Sequence, residues 1–199
     1  MSADLFGLVQ EYARDLAAGQ RPPVVPTNPQ DSPQALAEYV YWLMDQDRKS
    51  TPLKSIQGKI WEAGYNRGEI ESEVFADVPR AFGRWTSQGR KICIYSSGSV
   101  LAQKLLFANT NAGDLTRFIR AYFDTSIGPK KEAASYRRIA AEVRRSPNEV
   151  LFLSDTTAEL AAAGQAAFDV MLCWRPGNHQ HPGAQEYTVV ETFDDIFPT

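Results

Sequence analysis

Cysteine is scarce in this sequence of 199 residues, which contains two: Cys93 in KICIY and Cys173 in VMLCW. Both cysteines lie inside short apolar runs, and they are far apart along the chain. This placement indicates buried, reduced thiols rather than a disulfide framework or a metal site. Reduced thiols are typical of the cytosol, so we expect a cytoplasmic protein.

Long basic runs and long apolar runs are also missing. Lysine and arginine together number 21 against 24 aspartates and glutamates, which gives a formal net charge of −3. Without a basic patch to neutralise phosphates, a nucleic-acid partner is not expected. The opening residues, MSADLFGLVQ, have neither the basic region nor the apolar stretch of a signal peptide. No run is long enough to span a bilayer, so we expect no membrane partner.

The composition is that of an ordinary globular protein, with 43% hydrophobic and 23% charged residues. In the first third of the chain, apolar residues recur every three or four positions in three segments, which predicts three amphipathic helices. The predicted helix starts are near Asp4, at Asp31 or Ser32 with Pro33 in the first turn, and near Thr51. We therefore predict a helical domain over residues 1–73.

The remaining chain, residues 74–199, alternates between short apolar strands and helices. The predicted strands are ICIY, YFDT at 122–125, EVLFLSD and DVMLCW. This alternation predicts parallel strands joined by right-handed crossovers, and therefore an α/β fold with a doubly wound parallel sheet. Ligands of such sheets bind beyond the carboxyl ends of the strands, so the residues that follow each strand are the candidates for a site.

Three serines and a glycine follow the first of these strands, in the order Ser96, Ser97, Gly98 and Ser99. Hydroxyl groups and backbone N–H groups at the start of a helix favour a bound anion. The alternative is that one serine is only the N-cap of the next helix and that Gly98 is a turn residue. The pattern alone leaves both interpretations open.

Two carboxylates follow the strand EVLFLSD: Asp155 directly, and Glu159 one helical turn later. A carboxylate at the end of a strand is a suitable ligand for Mg²⁺, which prefers oxygen ligands and often binds substrate phosphate as well. The alternative is that Asp155 caps the next helix and that Glu159 only complements the helix dipole.

Lys130 follows Gly128-Pro129 at the opening of a predicted helix, where its charge would lie close to an incoming phosphate. The adjacent Lys131 supports the alternative, in which both lysines belong to a solvated helix face. His179 and His181, in GNHQHPG, have no cysteine or acidic neighbour, so we expect no metal site there.

Five blocks of the sequence, taken in order, resemble the signatures of one enzyme family. They are LKSIQGKIWEAGYNRGEI, IYSSGSVLAQKLLFANTNAGDLT, YFDTSIGPKKEAASYRRIA, VLFLSDTTAELAAA and WRPGN. Their combination is similar to acireductone synthase, also called enolase-phosphatase, of the haloacid dehalogenase superfamily. The resemblance implies a haloacid-dehalogenase-like sheet in residues 74–199 and a helical cap in residues 1–73.

The resemblance also implies an activity and a set of site residues. The family enolises 2,3-diketo-5-methylthiopentyl-1-phosphate and dephosphorylates it to the acireductone in methionine salvage, as a monomer that uses one Mg²⁺. By their positions in the motifs, Ser96 and Ser97 would hydrogen-bond the phosphoryl oxygens of this small phosphate ester. Lys130 would balance the charge of the phosphate and the nucleophile, and Asp155 would be a Mg²⁺ ligand.

The sequence departs from the family at three positions. The D-x-E-G-T motif, whose aspartate is the family's nucleophile on the central first strand, does not occur, so no residue is assigned as the catalytic nucleophile. Ala161 stands where the family usually has aspartate, and AAF at 166–168 replaces a turn that contains glycine. We expect the neighbours of that central strand to pair across the gap or to leave backbone groups unpaired.

Two hypotheses about function follow from these departures. The first is an enolase-phosphatase whose sequence, as given, starts after the strand that carries the nucleophile. The second is a non-catalytic remnant or anion-binding module that keeps the pocket of Ser96, Ser97 and Lys130 without turnover.

Overall fold

The computed structural model describes residues 3–26, 32–46, 48, 50–178 and 183–198. The chain divides into two compact units, Met1–Glu69 and Ile70–Thr199, each of which is described here by itself. We refer to the first as the helical unit and to the second as the α/β unit. No helix within the described ranges combines the length and the apolar character needed to cross a membrane.

The helical unit contains α1 (Ala3–Ala17), α2 (Pro33–Asp45) and α3 (Thr51–Asn66). The predicted start of α2 is confirmed, because the Ser32 hydroxyl accepts a hydrogen bond from the backbone N–H of Ala35 at 3.3 Å. Asp31, the alternative cap, lies outside the described residues. The three helices and the segment after α1 enclose a core of aliphatic and aromatic side chains: Leu8, Val25, Tyr39, Leu43 and Leu53.

A charged network lies inside the helical unit, beside this core. The hydroxyl of Tyr39 donates to Asp15 Oδ2 at 2.7 Å, and Arg48 donates to Asp15 Oδ1 at 2.8 Å and to Glu11 Oε1 at 3.3 Å. Asp15 is 3% exposed and Glu11 is 7% exposed. Burial raises the pKa of Tyr39 well above its usual range, and the hydrogen bond to Asp15 adds to this effect. The Tyr39 hydroxyl therefore stays protonated and acts as a donor.

The α/β unit alternates strands and helices, so the predicted fold class is confirmed. Its elements are α4 (Asp77–Ser87), β1 (Ile92–Tyr95), α5 (Val100–Ala108), β2 (Ile119–Phe123), α6 (Ala133–Val143), β3 (Leu151–Ser154), α7 (Thr157–Gln165), β4 (Asp169–Cys173) and β5 (Val189–Val190). The predicted strand at 122–125 is wrong in its bounds. Strand β2 starts earlier because it pairs with β1 from Ile119, opposite Ile92, to Phe123, opposite Tyr95.

The strands form two parallel groups, in the orders β1-β2 and β3-β4-β5. Pairing across the central position, one of the two expected outcomes, is not found: among the described strands, β1 pairs with β2 alone and β3 with β4 alone. Side chains of β1 and β3 nevertheless pack into shared clusters. On one face, the ring of Tyr136 lies 5.7 Å from that of Tyr95 in β1 and 5.0 Å from that of Phe152 in β3.

Candidate active site

The loop after β1 carries the predicted serines. The backbone N–H of Ser96 donates to the carbonyl of Phe123 at 3.1 Å, and the Ser96 hydroxyl accepts from the N–H of Gly98 at 3.1 Å. Ser99 is the N-cap of α5, since its hydroxyl accepts from the N–H of Ala102 at 3.2 Å. The capping role therefore falls to Ser99, and Ser97 remains exposed at the end of the strand.

Two residues that the sequence analysis did not single out hold this loop. Gln103, which is 5% exposed, donates from Nε2 to the carbonyls of Gly98 and Phe123, both at 2.9 Å. Asp124 accepts from the N–H of Val100 at 3.3 Å and so supports the start of α5. Asp124 could have been found from the sequence, because it follows an apolar strand just as Asp155 does. Gln103 could not, because its hydrogen bonds to the Gly98 and Phe123 carbonyls depend on tertiary structure.

Lys130 lies in a loop whose backbone is fixed from several sides. The Tyr95 hydroxyl donates to the carbonyl of Gly128 at 2.8 Å, Ser135 donates to that of Pro129 at 2.8 Å, and Tyr136 donates to that of Lys130 at 2.6 Å. Burial raises the pKa of Tyr136, and the charge of Glu159 acts in the same direction, so this hydroxyl keeps its proton. Helix α6 begins at Ala133, so Lys130 precedes the helix instead of opening it.

The side chain of Lys130 forms an ion pair at the candidate site. Its Nζ lies 2.7 Å from Glu159 Oε2 and 5.7 Å from the centre of the Tyr95 ring, and the side chain is 23% exposed. The interpretation of Lys130 as a solvated surface lysine is therefore wrong, whereas the adjacent Lys131 is exposed. Glu159 also accepts from the Ser154 hydroxyl at 2.9 Å, so it is an ion-pair partner as well as a residue of the first turn of α7.

Asp155 is exposed at the end of β3. The N-cap of α7 is Thr156, so the interpretation of Asp155 as the cap is wrong. The Asp155 carboxylate accepts from Nδ2 of Asn178 at 2.9 Å through Oδ2 and from the Thr156 hydroxyl at 3.3 Å through Oδ1. The sequence analysis did not identify Asn178 as a candidate site residue, although it is the last residue of the block WRPGN, on which part of the resemblance rests.

These contacts join three strand ends in one place. Lys130, from the loop after β2, contacts Tyr95 at the end of β1 and Glu159 in α7. Glu159 in turn accepts from Ser154, the last residue of β3. A cation and serine hydroxyls are groups that bind phosphate in proteins. The arrangement is therefore suited to an anionic phosphoryl group.

The site provides one carboxylate for a metal ion. Mg²⁺ usually takes one or two protein carboxylates, with water and substrate phosphate as its other ligands, and Asp155 fits such a position in chemistry and exposure. In the part of the chain that the structure describes, no three His, Cys, Asp or Glu side chains are grouped as a metal site. His179 and His181 lie outside the described residues.

Comparisons with known proteins define the family. A family model for haloacid dehalogenase-like hydrolases matches residues 6–167. Enolase-phosphatase E1 of Synechococcus elongatus is 49% identical over 196 residues, which cover 98% of this chain and 80% of that protein. The chain belongs to the enolase-phosphatase family of haloacid dehalogenase-like hydrolases. The resemblance stated from the sequence blocks is thereby confirmed.

Further comparisons give another enolase-phosphatase relative and two solved structures with the same fold. Enolase-phosphatase E1 of Leptospira borgpetersenii is 46% identical over 168 residues, which cover 84% of this chain and 72% of that protein. The crystal structure of the UTR4 protein from Saccharomyces cerevisiae has a TM-score of 0.75 and 36% identity, and covers 86% of this chain and 77% of that one. A haloacid dehalogenase family enzyme from Bacteroides thetaiotaomicron, solved with magnesium and inorganic phosphate, shares the fold at a TM-score of 0.50 and 9% identity, over 77% of this chain and 74% of that one.

Two of the departures from the enolase-phosphatase pattern lie on or beside α7. Ala161 is exposed on that helix. Ala167, in the turn that replaces a glycine-containing one, has a φ of 66°, which is the left-handed conformation that glycine adopts most easily. The backbone therefore keeps a glycine-type turn without the glycine.

Proposed function

We propose that this chain carries out the enolase-phosphatase step of methionine salvage: enolisation of 2,3-diketo-5-methylthiopentyl-1-phosphate, followed by its dephosphorylation to the acireductone. The observation that carries this proposal is the 49% identity to a protein named Enolase-phosphatase E1 over 98% of the chain. The joined strand ends support it, because they bring a cation and hydroxyl groups to the edge of the sheet where parallel folds bind their ligands.

The serine loop binds the phosphoryl group in this proposal. Ser97 is exposed at the end of β1, next to the first turn of α5. The hydroxyls of Ser97 and Ser96 donate to phosphoryl oxygens, and the helix start favours the negative charge. Gln103 and Asp124 keep the loop in place, so these donors are oriented before the substrate arrives.

Lys130 supplies the positive charge. Its ammonium group has three hydrogen-bond donors, of which one is directed at Glu159. The other two remain for a phosphoryl oxygen, and the ion pair holds the side chain in position for this contact. Phosphoryl transfer depends mainly on positioning and on positive charge around the transferred group, which is what a fixed lysine provides.

Asp155 is the residue that we propose as the protein ligand of Mg²⁺. A bound Mg²⁺ would neutralise phosphate charge and help to orient the phosphoryl group. The residues assigned here bind and orient; the resemblance assigns the attack to the aspartate of a D-x-E-G-T motif, which the printed sequence does not contain. We further propose that the helical unit acts as the cap and that the protein is a cytoplasmic monomer.

Phosphate release from the named substrate tests this function. Because no residue of the chain is assigned as the nucleophile, the assay uses the chain with a D-x-E-G-T strand joined to its amino end. With Mg²⁺ present, we expect turnover by this extended protein and a loss of at least about 100-fold in kcat for Asp155→Asn and for Lys130→Met. Asp169→Asn is the matched control, because Asp169 is an exposed aspartate at the start of β4 and has no assigned role, so its kcat should stay unchanged.

The same preparation distinguishes the rival function. Binding of inorganic phosphate, followed by calorimetry, without any turnover of the substrate would overturn the enzymatic proposal and support the anion-binding module. Turnover that survives in Asp155→Asn would overturn the assigned site.

A further inference from the structure

Asn178 lies beside the active-site carboxylate but comes from a different strand. Strands β3 and β4 pair in parallel with Ser154 opposite Leu172, so their carboxyl ends meet at one edge of the sheet. Four residues of the loop after β4 then lead to Asn178. The side chain of Asn178 reaches Asp155 from this loop, with 2.9 Å between Nδ2 and Oδ2.

The orientation of the Asn178 amide is determined by its two partners. Its Oδ1 accepts a hydrogen bond from the backbone N–H of Arg175. A backbone N–H can only donate, so the oxygen of the amide must face Arg175 and the NH₂ group must face Asp155. Asn178 therefore acts as a hydrogen-bond donor to the carboxylate.

Arg175, which anchors Asn178, is itself immobilised. Its guanidinium donates to Asp77 Oδ2 at 2.5 Å and to the carbonyl of Glu191 at 2.7 Å, and it lies 4.8 Å and 4.7 Å from the ring centres of Phe75 and Phe193. The side chains of Arg175 and Asp77 are 12% and 7% exposed. The loop that carries Asn178 is thus tied to a buried ion pair.

Asp77 is held in its charged form. Burial acts to raise its pKa, but the hydrogen bonds from Arg175, from the N–H of Phe193 and from the hydroxyl of Thr192 outweigh burial and lower it. The ion pair therefore persists at neutral pH, and it fixes the distance from α4 to the loop.

We propose that Asn178 is a positioning residue for Asp155, supported from behind by Arg175 and Asp77. The inference rests on the proposed function, in which Asp155 is an active-site carboxylate. By donating to Oδ2, Asn178 fixes the plane of the carboxylate and leaves Oδ1, whose partner is the Thr156 hydroxyl at 3.3 Å, for contacts in the active site. Partners of this kind orient acidic ligands, and their loss typically costs about 10- to 100-fold in affinity or activity.

Two variants separate positioning from loop structure. Asn178→Asp keeps an acceptor for the N–H of Arg175 but replaces the donor to Asp155 with a second negative charge. Asn178→Ala removes both contacts. We expect kcat to fall about 10- to 100-fold in both variants, with KM for the phosphate ester within about threefold of the wild-type value, because Ser96, Ser97 and Lys130 are unchanged.

Thermal stability provides the discriminating comparison. Positioning predicts that Asn178→Asp loses kcat while its Tm stays close to the wild-type value. A purely structural role predicts that kcat follows Tm, with Asn178→Ala affected and Asn178→Asp spared, and that result would overturn the proposal. Asn111→Asp is the matched control: Asn111 also accepts from one backbone N–H and donates to one carbonyl, both of Val74, and it should leave kcat unchanged.

An NMR measurement keeps this inference separate from the proposed function. The side-chain amide signals of Asn178 should shift in Asp155→Ala, because the acceptor is gone; unshifted signals would overturn the inference. If the protein extended with the D-x-E-G-T strand shows no turnover, the proposed function fails, and the amide signals still support or overturn the contact on which the positioning depends.

Discussion

Two groups of charged side chains, one in each unit of this protein, differ in how far they are exposed. In the helical unit, Asp15 and Glu11 are almost completely buried and contact Arg48, whose partners both belong to the same unit. In the α/β unit, Asp155 is exposed at a strand end, and the side chain of Lys130 is partly exposed to solvent.

This difference separates charges that stabilise a fold from charges that are available to a ligand. A buried carboxylate costs free energy unless partners satisfy it, so the network around Asp15 contributes through its internal contacts. The strand-end groups retain accessible donors and acceptors, because hydrogen bonds from loops hold them without covering them. Variants that disturb one kind of arrangement should therefore have different consequences from variants that disturb the other.

The largest loss of stability is expected for a substitution at Gly128, which is closely packed in the loop before Lys130. Gly128 has a φ of 142°, and a Cβ at this position would lie 2.2 Å from the hydroxyl oxygen of Ser135. Gly128→Ala should lower the free energy of unfolding by about 2–4 kcal/mol, through backbone strain and the lost hydrogen bond from Ser135 to Pro129. It should also lower kcat, because Lys130 is displaced.

Gly89→Ala is the matched control for Gly128→Ala. Gly89 also has a positive φ, 75°, but no atom lies within 4 Å of the position that a Cβ would take. Urea unfolding of both variants separates the cost of the conformation from the cost of the clash. If Gly128→Ala is no more destabilising than Gly89→Ala, the close packing around Lys130 is contradicted.

The next effect concerns the helical unit. Asp15→Ala removes the acceptor of the Tyr39 hydroxyl and one partner of Arg48, and we expect a loss of about 2–3 kcal/mol in the free energy of unfolding. The expected value lies below that for a fully buried ion pair, because the side chain of Arg48 is 36% exposed and water can solvate it. Trp42, which stacks on Tyr39, reports unfolding of this unit by fluorescence.

Asp4→Ala provides the comparison for Asp15→Ala in the same helix. Asp4 pairs with Lys59, whose side chain is 61% exposed, and exposed pairs of that kind contribute little to stability. Similar losses in the two variants would show that the buried network is no more important to stability than the surface pair.

Much of the fold could be predicted from the sequence because its signals are local. The proline and serine at the start of α2 and the apolar run of β1 are short-range patterns, and the structure has both elements where they were expected. The start of β2 could not be predicted this way, since Arg120 interrupts its apolar run and the pairing with β1 decides the boundary. The strand ends could be chosen as the candidate site, because the residues that follow parallel strands lie at one edge of the sheet.

The contacts between those strand ends could not be predicted. Lys130 and Glu159 meet through tertiary structure, as do Asn178 and Asp155, and each pair comes from two different loops or helices. Spacing along one sequence contains no information about such distances. The sequence therefore points to candidate site residues at the strand ends, but not to the neighbours that hold them.

The smallest effect is a gain in stability in the α/β unit. Ala167 follows α7 in the left-handed conformation, with its N–H donating to the carbonyl of Gly164 at 2.8 Å and that of Phe168 donating to Ala163 at 3.1 Å. Glycine is favoured at this position of a helix end. Ala167→Gly should raise the free energy of unfolding by about 0.5–1 kcal/mol, because the strain at Cβ outweighs the extra backbone entropy of glycine.

Ala161→Gly is the control on the same helix and should have the opposite sign. Ala161 is exposed inside α7, where glycine costs about 1 kcal/mol relative to alanine. Neither change touches Lys130 or Glu159, so kcat should be unaffected in both variants while urea midpoints move in opposite directions. Destabilisation by Ala167→Gly would contradict a left-handed turn at this position, and a parallel loss of kcat would mean that the end of α7 is coupled to the Glu159 at its start.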